Sequence, residues 1–156
     1  MKKHISILGS TGSIGSNVFK IIDKKKDIFD FDLFSANKNY LQICKQLQKY
    51  KPKYFVINNE KIFKKVKNKF KKNKVKILNS FDNFNQKNIK FDLTISSIVG
   101  IAGLSPTIKF VVISKKVLIA NKETIICGWH IIKKLSKQYG TKIVPIDSEH
   151  FSINQL

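Results

Sequence analysis

The sequence predicts an α/β protein built on a doubly wound, mostly parallel β-sheet, and three observations lead to this fold class. Segments with strand-like apolar runs alternate with segments of helical periodicity along the whole chain. Several of the strand-like runs are continuously apolar, which is typical of strands covered by helices on both faces. Gly9, Gly12 and Gly15 stand between the first predicted strand and the first predicted helix, where doubly wound sheets carry a glycine-rich turn.

Apolar periodicity defines the individual elements in chain order. The first strand runs into the glycine turn, and Val18, Ile21 and Ile22 give the next segment its helical spacing. An apolar stripe surrounded by lysines identifies the third helix, and Gly140 follows the last helix at a position typical of a helix end. The predicted strands span residues 4–8, 31–35, 54–57, 75–78, 93–97, 117–120 and 142–146, and the predicted helices span residues 14–23, 41–49, 61–71, 106–113 and 124–139.

The composition favours one globular domain in a reducing compartment. The chain has 156 residues, 42% of them hydrophobic, and no apolar run approaches the roughly 20 residues that span a bilayer. Strand-like sequence begins near residue 4, so no signal or transit peptide is expected in this chain. Cys44 and Cys127 have no motif around them, and we expect both to be buried, reduced thiols in a cytoplasmic protein.

The formal net charge is +20, from 30 basic and 10 acidic residues, and is compatible with a nucleic-acid-binding module. All of the basic residues are lysines, however, whereas recognition of bases and phosphates favours arginine. The lysines are scattered and accompanied by abundant Asn and Ile, a composition typical of an AT-rich genome. We therefore interpret the charge mainly as compositional bias and expect neither a membrane nor a nucleic-acid partner.

The glycine-rich turn predicts a Rossmann-like domain that binds a dinucleotide. Its spacing, G-x-x-G-x-x-G, is a variant of the more common G-x-G-x-x-G. Such a turn lets backbone N–H groups reach a pyrophosphate, and the positive end of the helix dipole adds to the attraction. Glycine turns also occur for purely steric reasons, so the motif gains weight from its place between strand and helix. The groups that would bind are the backbone N–H and hydroxyl groups of Thr11, Gly12, Ser13 and Ile14.

The residues after the second predicted strand, Asn37, Lys38 and Asn39, favour NADP over NAD. Enzymes selective for NAD usually carry Asp or Glu about 20 residues after the glycines, where it holds the ribose 2′-hydroxyl. No acid is present here, and the two amides and the ammonium group suit a 2′-phosphate. In a chain so rich in lysine, a simple surface position for Lys38 is the competing interpretation.

Two further strand ends carry residues suited to a ligand. Small residues follow the strand at 93–97, where they allow close approach of a cofactor or simply form a tight turn. Asn121, Lys122 and Glu123 follow the strand at 117–120. A helix cap explains Asn121 and Glu123, but Lys122 is a cation at the positive end of a helix, and an anionic ligand would resolve that conflict.

The last predicted strand is followed by Asp147 and Glu149, two of only 10 acids in the chain. In extended geometry residues two apart share a face, so both carboxylates could bind one divalent cation. Oxygen ligands favour Mg²⁺ or Mn²⁺ over Zn²⁺. The competing interpretation is a solvated pair or a helix cap, and the sequence identifies no third ligand.

Taken together, these motifs resemble 1-deoxy-D-xylulose 5-phosphate reductoisomerase, an enzyme family of non-mevalonate isoprenoid biosynthesis. The motifs occur in family order and at family spacing over essentially the whole chain, and ANKE and DSEH are far more specific than the glycine turn. The matching segments are GSTGSIG at 9–15, SANKN at 35–39, SSIVGIAGLSPT at 96–107, LIANKET at 118–124 and PIDSEHFSINQ at 145–155.

The resemblance implies an NADPH-dependent oxidoreductase that converts 1-deoxy-D-xylulose 5-phosphate to 2-C-methyl-D-erythritol 4-phosphate with a divalent cation, Mg²⁺ or Mn²⁺. By matched position, residues 11–14 hold the NADPH pyrophosphate and residues 37–39 surround the 2′-phosphate. Asn37 replaces the family's usual glycine, a change that asparagine tolerates because it visits left-handed conformations more easily than most residues. Asn121 and Glu123 are also implied to contact NADPH.

The resemblance also implies the substrate and metal residues. Lys122 and Ser148 would bind the small phosphorylated sugar, and Asp147 and Glu149 would hold the metal. Lys122 and Glu149 are the implied catalytic residues, and His150 has a supporting role.

The chain departs from the family in length, because family members run to roughly 400 residues in three regions. We expect residues 1–146 to form the NADPH-binding domain and residues 147–156 to begin the catalytic, metal-binding region, with the remainder absent. The resemblance implies a homodimer for the full-length protein, and we do not expect this chain alone to form one. We therefore expect this chain to bind NADPH but not to turn over substrate alone.

Two other functions are weighed against this one. A different NADP-binding oxidoreductase, such as a semialdehyde dehydrogenase, shares the glycine turn but needs a catalytic cysteine, and neither Cys44 nor Cys127 stands at a predicted strand end. A lysine-rich nucleic-acid-binding module is the least favoured, because arginine and an aromatic stacking pattern are absent from the sequence.

Overall fold

The computed structural model describes residues 2–84 and 90–146, and in these ranges the chain forms seven β-strands and five α-helices. Every predicted strand and helix is confirmed, with ends that differ by no more than two residues. Within the same ranges, no helix combines the length and the apolarity that crossing a membrane requires. The strands are β1 (Lys3–Leu8), β2 (Phe29–Ala36), β3 (Tyr54–Ile57), β4 (Lys76–Leu78), β5 (Leu93–Ser96), β6 (Lys116–Ile119) and β7 (Lys142–Pro145), and the helices are α1 (Ser13–Asp23), α2 (Tyr40–Tyr50), α3 (Glu60–Lys69), α4 (Leu104–Val112) and α5 (Lys122–Tyr139).

The strands form one sheet in the order β4-β3-β2-β1-β5-β6-β7, and every neighbouring pair is parallel. The chain moves outward from β1 to β4 and then returns to the centre, where β5 pairs with the free side of β1. The predicted doubly wound, Rossmann-like fold is therefore confirmed. Sheets of this kind bind ligands beyond the carboxyl ends of the strands where the order reverses, which here are the ends of β1 and β5.

Helices cover both faces of the sheet, which explains the continuously apolar strands. Leu33 and Phe34 are neighbours in β2, so their side chains point to opposite faces, yet both are fully buried. Phe34 packs against Phe19 of α1 and Tyr50 of α2, whereas Leu33 belongs to the cluster that contains Phe110 of α4. Removal of this apolar surface from water on both faces is the main force that stabilises the fold.

The expectation that both cysteines are buried is wrong for Cys127. Cys44 is buried, whereas Cys127 is exposed, and both are free thiols. Cys127 follows Ile126 on the solvent side of α5, where the Ile126 side chain is 74% exposed. The buried side of the helix is formed instead by residues such as Ile125 and Ile132.

Carboxylates link neighbouring strands near the amino ends of the sheet's strands. The buried carboxylate of Asp32 in β2 lies 2.7 Å from His4 Nδ1 and 2.6 Å from Lys53 Nζ. Asp92, just before β5, accepts a 2.8 Å hydrogen bond from the backbone N–H of His4 and lies 2.7 Å from Lys115 Nζ. The hydrogen bonds from Lys115 and from the His4 backbone hold the pKa of the Asp92 carboxyl below its usual value.

At the carboxyl ends of the strands, β1 and β5 approach each other so closely that only glycine fits at position 9. Gly9 has a φ of 82°, in the left-handed region that residues with side chains disfavour. A Cβ atom there would lie 2.6 Å from the carbonyl oxygen of Ser97, the residue that follows β5. Gly15 is similarly constrained, because a Cβ atom on it would clash with the carbonyl oxygen of Gly9. The start of α1 is thereby held against the end of β1.

Replacement of Gly9 by alanine tests this close approach. Gly140→Ala is the matched control, because Gly140 also has a positive φ, 66°, but its Cβ atom would meet nothing within 4 Å. Gly140→Ala should lower the free energy of unfolding by about 1–2 kcal/mol, the usual cost of a left-handed side chain. Gly9→Ala should cost about 1–3 kcal/mol more, because the Ser97 backbone must move. Urea unfolding measures both, and equal losses would contradict the account.

Asp92→Asn tests the carboxylate at the amino edge. Because the pKa of Asp92 is lowered by folding, its stabilisation is fully present above the unfolded value of about 3.9 and is lost as the pH falls through the folded value. Urea unfolding should therefore show that the free energy of unfolding of Asp92→Asn depends less on pH below about pH 4 than that of the unmodified chain. Asp27→Asn, at an exposed side chain, is the control. An unchanged acid dependence in Asp92→Asn would contradict the assignment.

Candidate functional site

A groove lies above the carboxyl ends of β1 and β5, where the strand order reverses. It consists of two adjoining cavities of about 290 Å³ each, and Ser97, Ile98 and Val99 line both of them. Residues from the ends of several strands therefore meet at one place, as the topology predicts. The predicted site residues that line the groove are Thr11, Gly12 and Asn37 in one cavity and Ser13, Ile14, Asn121, Lys122 and Glu123 in the other.

The turn between β1 and α1 is fixed by hydrogen bonds to the end of β2. The backbone N–H of Gly9 donates to Ser35 Oγ at 3.0 Å. The N–H of Ser10 donates to the Ser35 carbonyl at 2.8 Å, and that of Gly12 donates back to the Gly9 carbonyl at 3.1 Å. These three N–H groups are therefore used by the protein itself, including that of Gly12, for which a ligand contact was predicted.

Other N–H groups at the start of α1 are not used in this way. The first helical hydrogen bond runs from the N–H of Ser16 to the carbonyl of Gly12, at 2.8 Å. Among the described residues, none accepts a hydrogen bond from the backbone N–H of Thr11, Ser13 or Ile14. Gly12 offers no side-chain cap and the first turn has no acid, whereas α2, α3 and α5 are each capped by an asparagine. The positive end of the α1 dipole is thus open to an anion.

The loop after β2 brings amide and ammonium groups to the groove. Asn37, Lys38 and Asn39 are all exposed, and Asn37 lines the cavity beside the glycine turn. The side chain of Asn39 accepts a 3.2 Å hydrogen bond from the N–H of Gln42 and so caps α2. Asn58, just after β3, lines the same cavity as Asn37. Sequence reasoning missed Asn58, because a single asparagine after a strand carries no motif in an asparagine-rich chain.

Asn121 holds the loop after β5 in place. Its Nδ2 donates to the carbonyl of Ile98 and, at 2.7 Å, to that of Gly100. Its Oδ1 accepts a 2.9 Å hydrogen bond from the N–H of Thr124 and caps α5. The residue is only 4% exposed, and both the oxygen and the nitrogen of its amide form hydrogen bonds. Its side chain is therefore a structural part of the groove wall. The helix-cap interpretation of Asn121 is confirmed, whereas sequence reasoning missed its bonds to the loop after β5.

Lys122 and Glu123 begin α5 at the far end of the groove. The exposed Lys122 side chain forms no ion pair with any residue in the described ranges. Glu123 is half-buried in the first turn, where a carboxylate is favoured by the helix dipole. A cation at the same helix end is unfavourable, so Lys122 is suited to an anionic ligand in the groove.

The predicted metal and substrate residues Asp147, Ser148 and Glu149, together with His150, lie outside the described residues. The strand before them runs parallel to β6, and the N–H of Ile146 donates to the carbonyl of Ile119 at 2.9 Å. The chain therefore reaches residue 146 at the carboxyl ends of the strands, where the groove also lies. Within residues 2–84 and 90–146, no group of three His, Cys, Asp or Glu side chains could hold a metal ion.

A larger cavity, of about 680 Å³, lies near the amino ends of β3 and β4, at the opposite ends of the strands from the groove. Helices α2 and α3 both end close to it, and lysines near the carboxyl ends of helices are stabilised by the helix dipole. The same dipoles weaken the attraction of these lysines for an anion, and the cavity differs from the groove in that α2 and α3 end there rather than begin. Its lysines are Lys51, Lys53, Lys72, Lys74 and Lys76.

Comparison with known sequences identifies a family for this chain. Residues 5–128 match the family model of 1-deoxy-D-xylulose 5-phosphate reductoisomerase. The enzyme of that name from Pelagibacter ubique is 44% identical over 154 residues, which cover 97% of this chain and 40% of the relative. Its counterpart from Clostridium novyi is 40% identical over 157 residues, which cover 98% of this chain and 41% of the relative.

Solved structures of reductoisomerases share the fold. The 1-deoxy-D-xylulose 5-phosphate reductoisomerase of Zymomonas mobilis in complex with NADPH matches with a TM-score of 0.89 and 25% identity, over 99% of this chain and 41% of that one. A DOX-P reductoisomerase in complex with NADPH, fosmidomycin and magnesium matches with a TM-score of 0.88 and 26% identity, over 98% and 38%. This chain spans about 40% of the length of the curated relatives that it matches. Because the family model matches residues 5–128, this chain belongs to the 1-deoxy-D-xylulose 5-phosphate reductoisomerase family.

Proposed function

We propose that this chain binds NADPH in the groove and that, in a protein of its relatives' full length, it takes part in converting 1-deoxy-D-xylulose 5-phosphate to 2-C-methyl-D-erythritol 4-phosphate. The observation that carries the proposal is the set of backbone N–H groups of Thr11, Ser13 and Ile14, which lie at the groove without an acceptor among the described residues. Family membership and a similar structure in complex with NADPH support it. Since the chain spans about 40% of its relatives, the complete reaction is proposed for the whole protein and cofactor binding for this chain.

The pyrophosphate of NADPH is assigned to the start of α1. The N–H groups of Thr11, Ser13 and Ile14 would donate to its oxygens, and the hydroxyl groups of Thr11 and Ser13 add further donors. Gly12 contributes by having no side chain, because its own N–H is already bonded to Gly9. The helix end supplies partial positive charge without a bulky cation, which suits a pyrophosphate lying against the backbone.

The 2′-phosphate of NADPH is assigned to the loop after β2. Lys38 supplies a full positive charge there, and Asn37 and Asn39 supply amide groups, although the Asn39 oxygen also caps α2. The loop holds no carboxylate that would accept a hydrogen bond from a 2′-hydroxyl and repel a phosphate. This charge pattern supports NADPH over NADH as the cofactor.

The reacting end of the cofactor is assigned to the start of α5. Glu123 and Asn121 would lie beside it, with the Asn121 side chain acting through the loop that it anchors. Lys122 is the proposed catalytic residue on this side, because its ammonium group would contact the anionic sugar phosphate directly. Its lack of a partner in the described residues leaves it available for that contact.

Asp147 and Glu149 are proposed to hold Mg²⁺ or Mn²⁺, with Ser148 binding the substrate between them and Glu149 at the reacting centre. Two carboxylates are hard oxygen donors that fit such a cation, and a similar structure is a complex with magnesium. When bound, the metal would polarise substrate oxygens as a Lewis acid. The chain reaches Ile146, the residue directly before them in sequence, on the same side of the sheet as the groove, which supports this assignment.

We propose three further properties of the protein: a domain boundary, a cellular location and an oligomeric state. We place the boundary between the NADPH-binding domain and the catalytic region between residues 146 and 147. The two free thiols support a reducing, cytoplasmic location. We propose that the full-length protein is a homodimer that acts on a phosphorylated sugar, as its family membership suggests.

Lys38→Ala tests the cofactor assignment. The unmodified chain should bind NADPH more tightly than NADH, and the substitution should raise the Kd for NADPH about tenfold, because a charge-assisted contact to the 2′-phosphate is lost. The Kd for NADH should not change. Isothermal titration calorimetry measures both, and Lys20→Ala, at an exposed lysine in α1, is the control. A preference for NADH, or equal weakening of both cofactors, would contradict the assigned pocket.

A further inference from the structure

We infer that Gln46 is a positioning residue that holds the glycine-rich turn in its ligand-binding conformation through a two-point hydrogen-bonded clamp on Ser10. The inference rests on the proposed binding of NADPH and extends it to a residue outside the groove. Gln46 lies in α2 and lines neither of the two groove cavities. Both hydrogen bonds of its side chain in the described residues go to Ser10, so Ser10 is the residue through which Gln46 would act on the cofactor.

The clamp uses both ends of the Gln46 amide. Ser10 Oγ donates to Gln46 Oε1 at 2.7 Å, and Gln46 Nε2 donates to the backbone carbonyl of Ser10 at 2.9 Å. Ser10 is fully buried and Gln46 is 5% exposed, so water cannot replace these bonds easily. Loss of the glutamine amide would leave a buried hydroxyl and a buried carbonyl without partners, which is costly.

The clamped residue stands at the centre of the turn. Ser10 follows Gly9, whose conformation is set by the close approach of β5, and precedes Thr11, the first residue with an unused N–H. The N–H of Ser10 is itself bonded to the carbonyl of Ser35. With its N–H, carbonyl and hydroxyl all bonded, Ser10 fixes the backbone direction from which the N–H groups of Thr11 and Ser13 are presented.

The clamp also connects two parts of the proposed cofactor site. Helix α2 begins at the loop that carries Lys38, and Asn39 is its N-cap. Gln46, later in the same helix, grips the turn assigned to the pyrophosphate. Ile43 and Leu47 are fully buried and keep α2 on the sheet without help from Gln46. Removal of the clamp should therefore disturb the pyrophosphate turn and spare the loop at the 2′-phosphate.

Gln46→Met in the full 156-residue chain tests the inference. Methionine keeps the unbranched shape but lacks the amide. The Kd for NADPH should rise about tenfold, because the donors at residues 11–14 lose their fixed direction. The Kd for 2′-AMP, which carries the 2′-phosphate but no pyrophosphate, should stay within about twofold. Calorimetry follows NADPH, and an NMR titration at millimolar concentration follows 2′-AMP.

Two further variants complete the test. Gln48→Met, at an exposed position of α2, should leave both affinities unchanged. Ser10→Ala removes one of the two bonds and should raise the Kd for NADPH about threefold, which keeps the inference testable if Gln46→Met does not fold. An unchanged NADPH affinity in a folded variant, or equal weakening of NADPH and 2′-AMP, would overturn the inference. Failure of the unmodified chain to bind NADPH would instead overturn the proposed function.

Discussion

The close approach of β1 and β5 at Gly9 fixes the centre of the groove. The two strands are distant in sequence but adjacent in the sheet, and their ends meet where a single Cβ atom would collide with the Ser97 carbonyl. This contact places the start of α1 at the carboxyl ends of the two central strands. The loops after β2, β5 and β6 then surround it, so one steric requirement determines where several polar segments converge.

Helix direction, rather than net charge, distinguishes the groove from the rest of a strongly basic surface. The chain carries 30 basic and 10 acidic residues, so lysines alone cannot locate a site for an anion. At the groove, α1 presents the positive end of its dipole with no side-chain cap. Near the amino ends of β3 and β4, lysines surround a larger cavity, but α2 and α3 end there, so their dipoles weaken the attraction for an anion instead of adding to it. The groove thus combines an uncapped, positive helix end with backbone donors that no described residue uses.

The elements of this fold could be predicted from sequence because each depends on local apolar patterns. Adjacent buried residues such as Leu33 and Phe34 give β2 a continuous apolar run, and the covering helices explain it. The groove residues at 11–14 and 121–123 could be predicted because a parallel sheet brings the carboxyl ends of its strands to one edge. The position of Cys127 could not, since α5 is 18 residues long and carries apolar side chains on its solvent side as well.

The supporting contacts of the site could not be predicted, because they join residues far apart in the chain. Gln46 reaches Ser10 across 36 positions, and Asn121 reaches Ile98 across 23. Neither pair leaves a mark in local periodicity. Asn121 shows this clearly, because its cap on α5 could be predicted from local sequence, whereas its bonds to the loop after β5 could not.

We propose that the glycine turn and the carboxylates of Asp147 and Glu149 face one groove. Backbone amide NMR spectra with NADPH, followed by addition of paramagnetic Mn²⁺, test this most directly. NADPH should shift the amide signals of Thr11, Ser13, Ile14 and Lys38. Mn²⁺ should then broaden the signals of residues 121–123 and of the start of α1, because the cation would lie in the same groove. Shifts or broadening centred on the lysine-lined cavity near the amino ends of β3 and β4 would contradict a single shared groove.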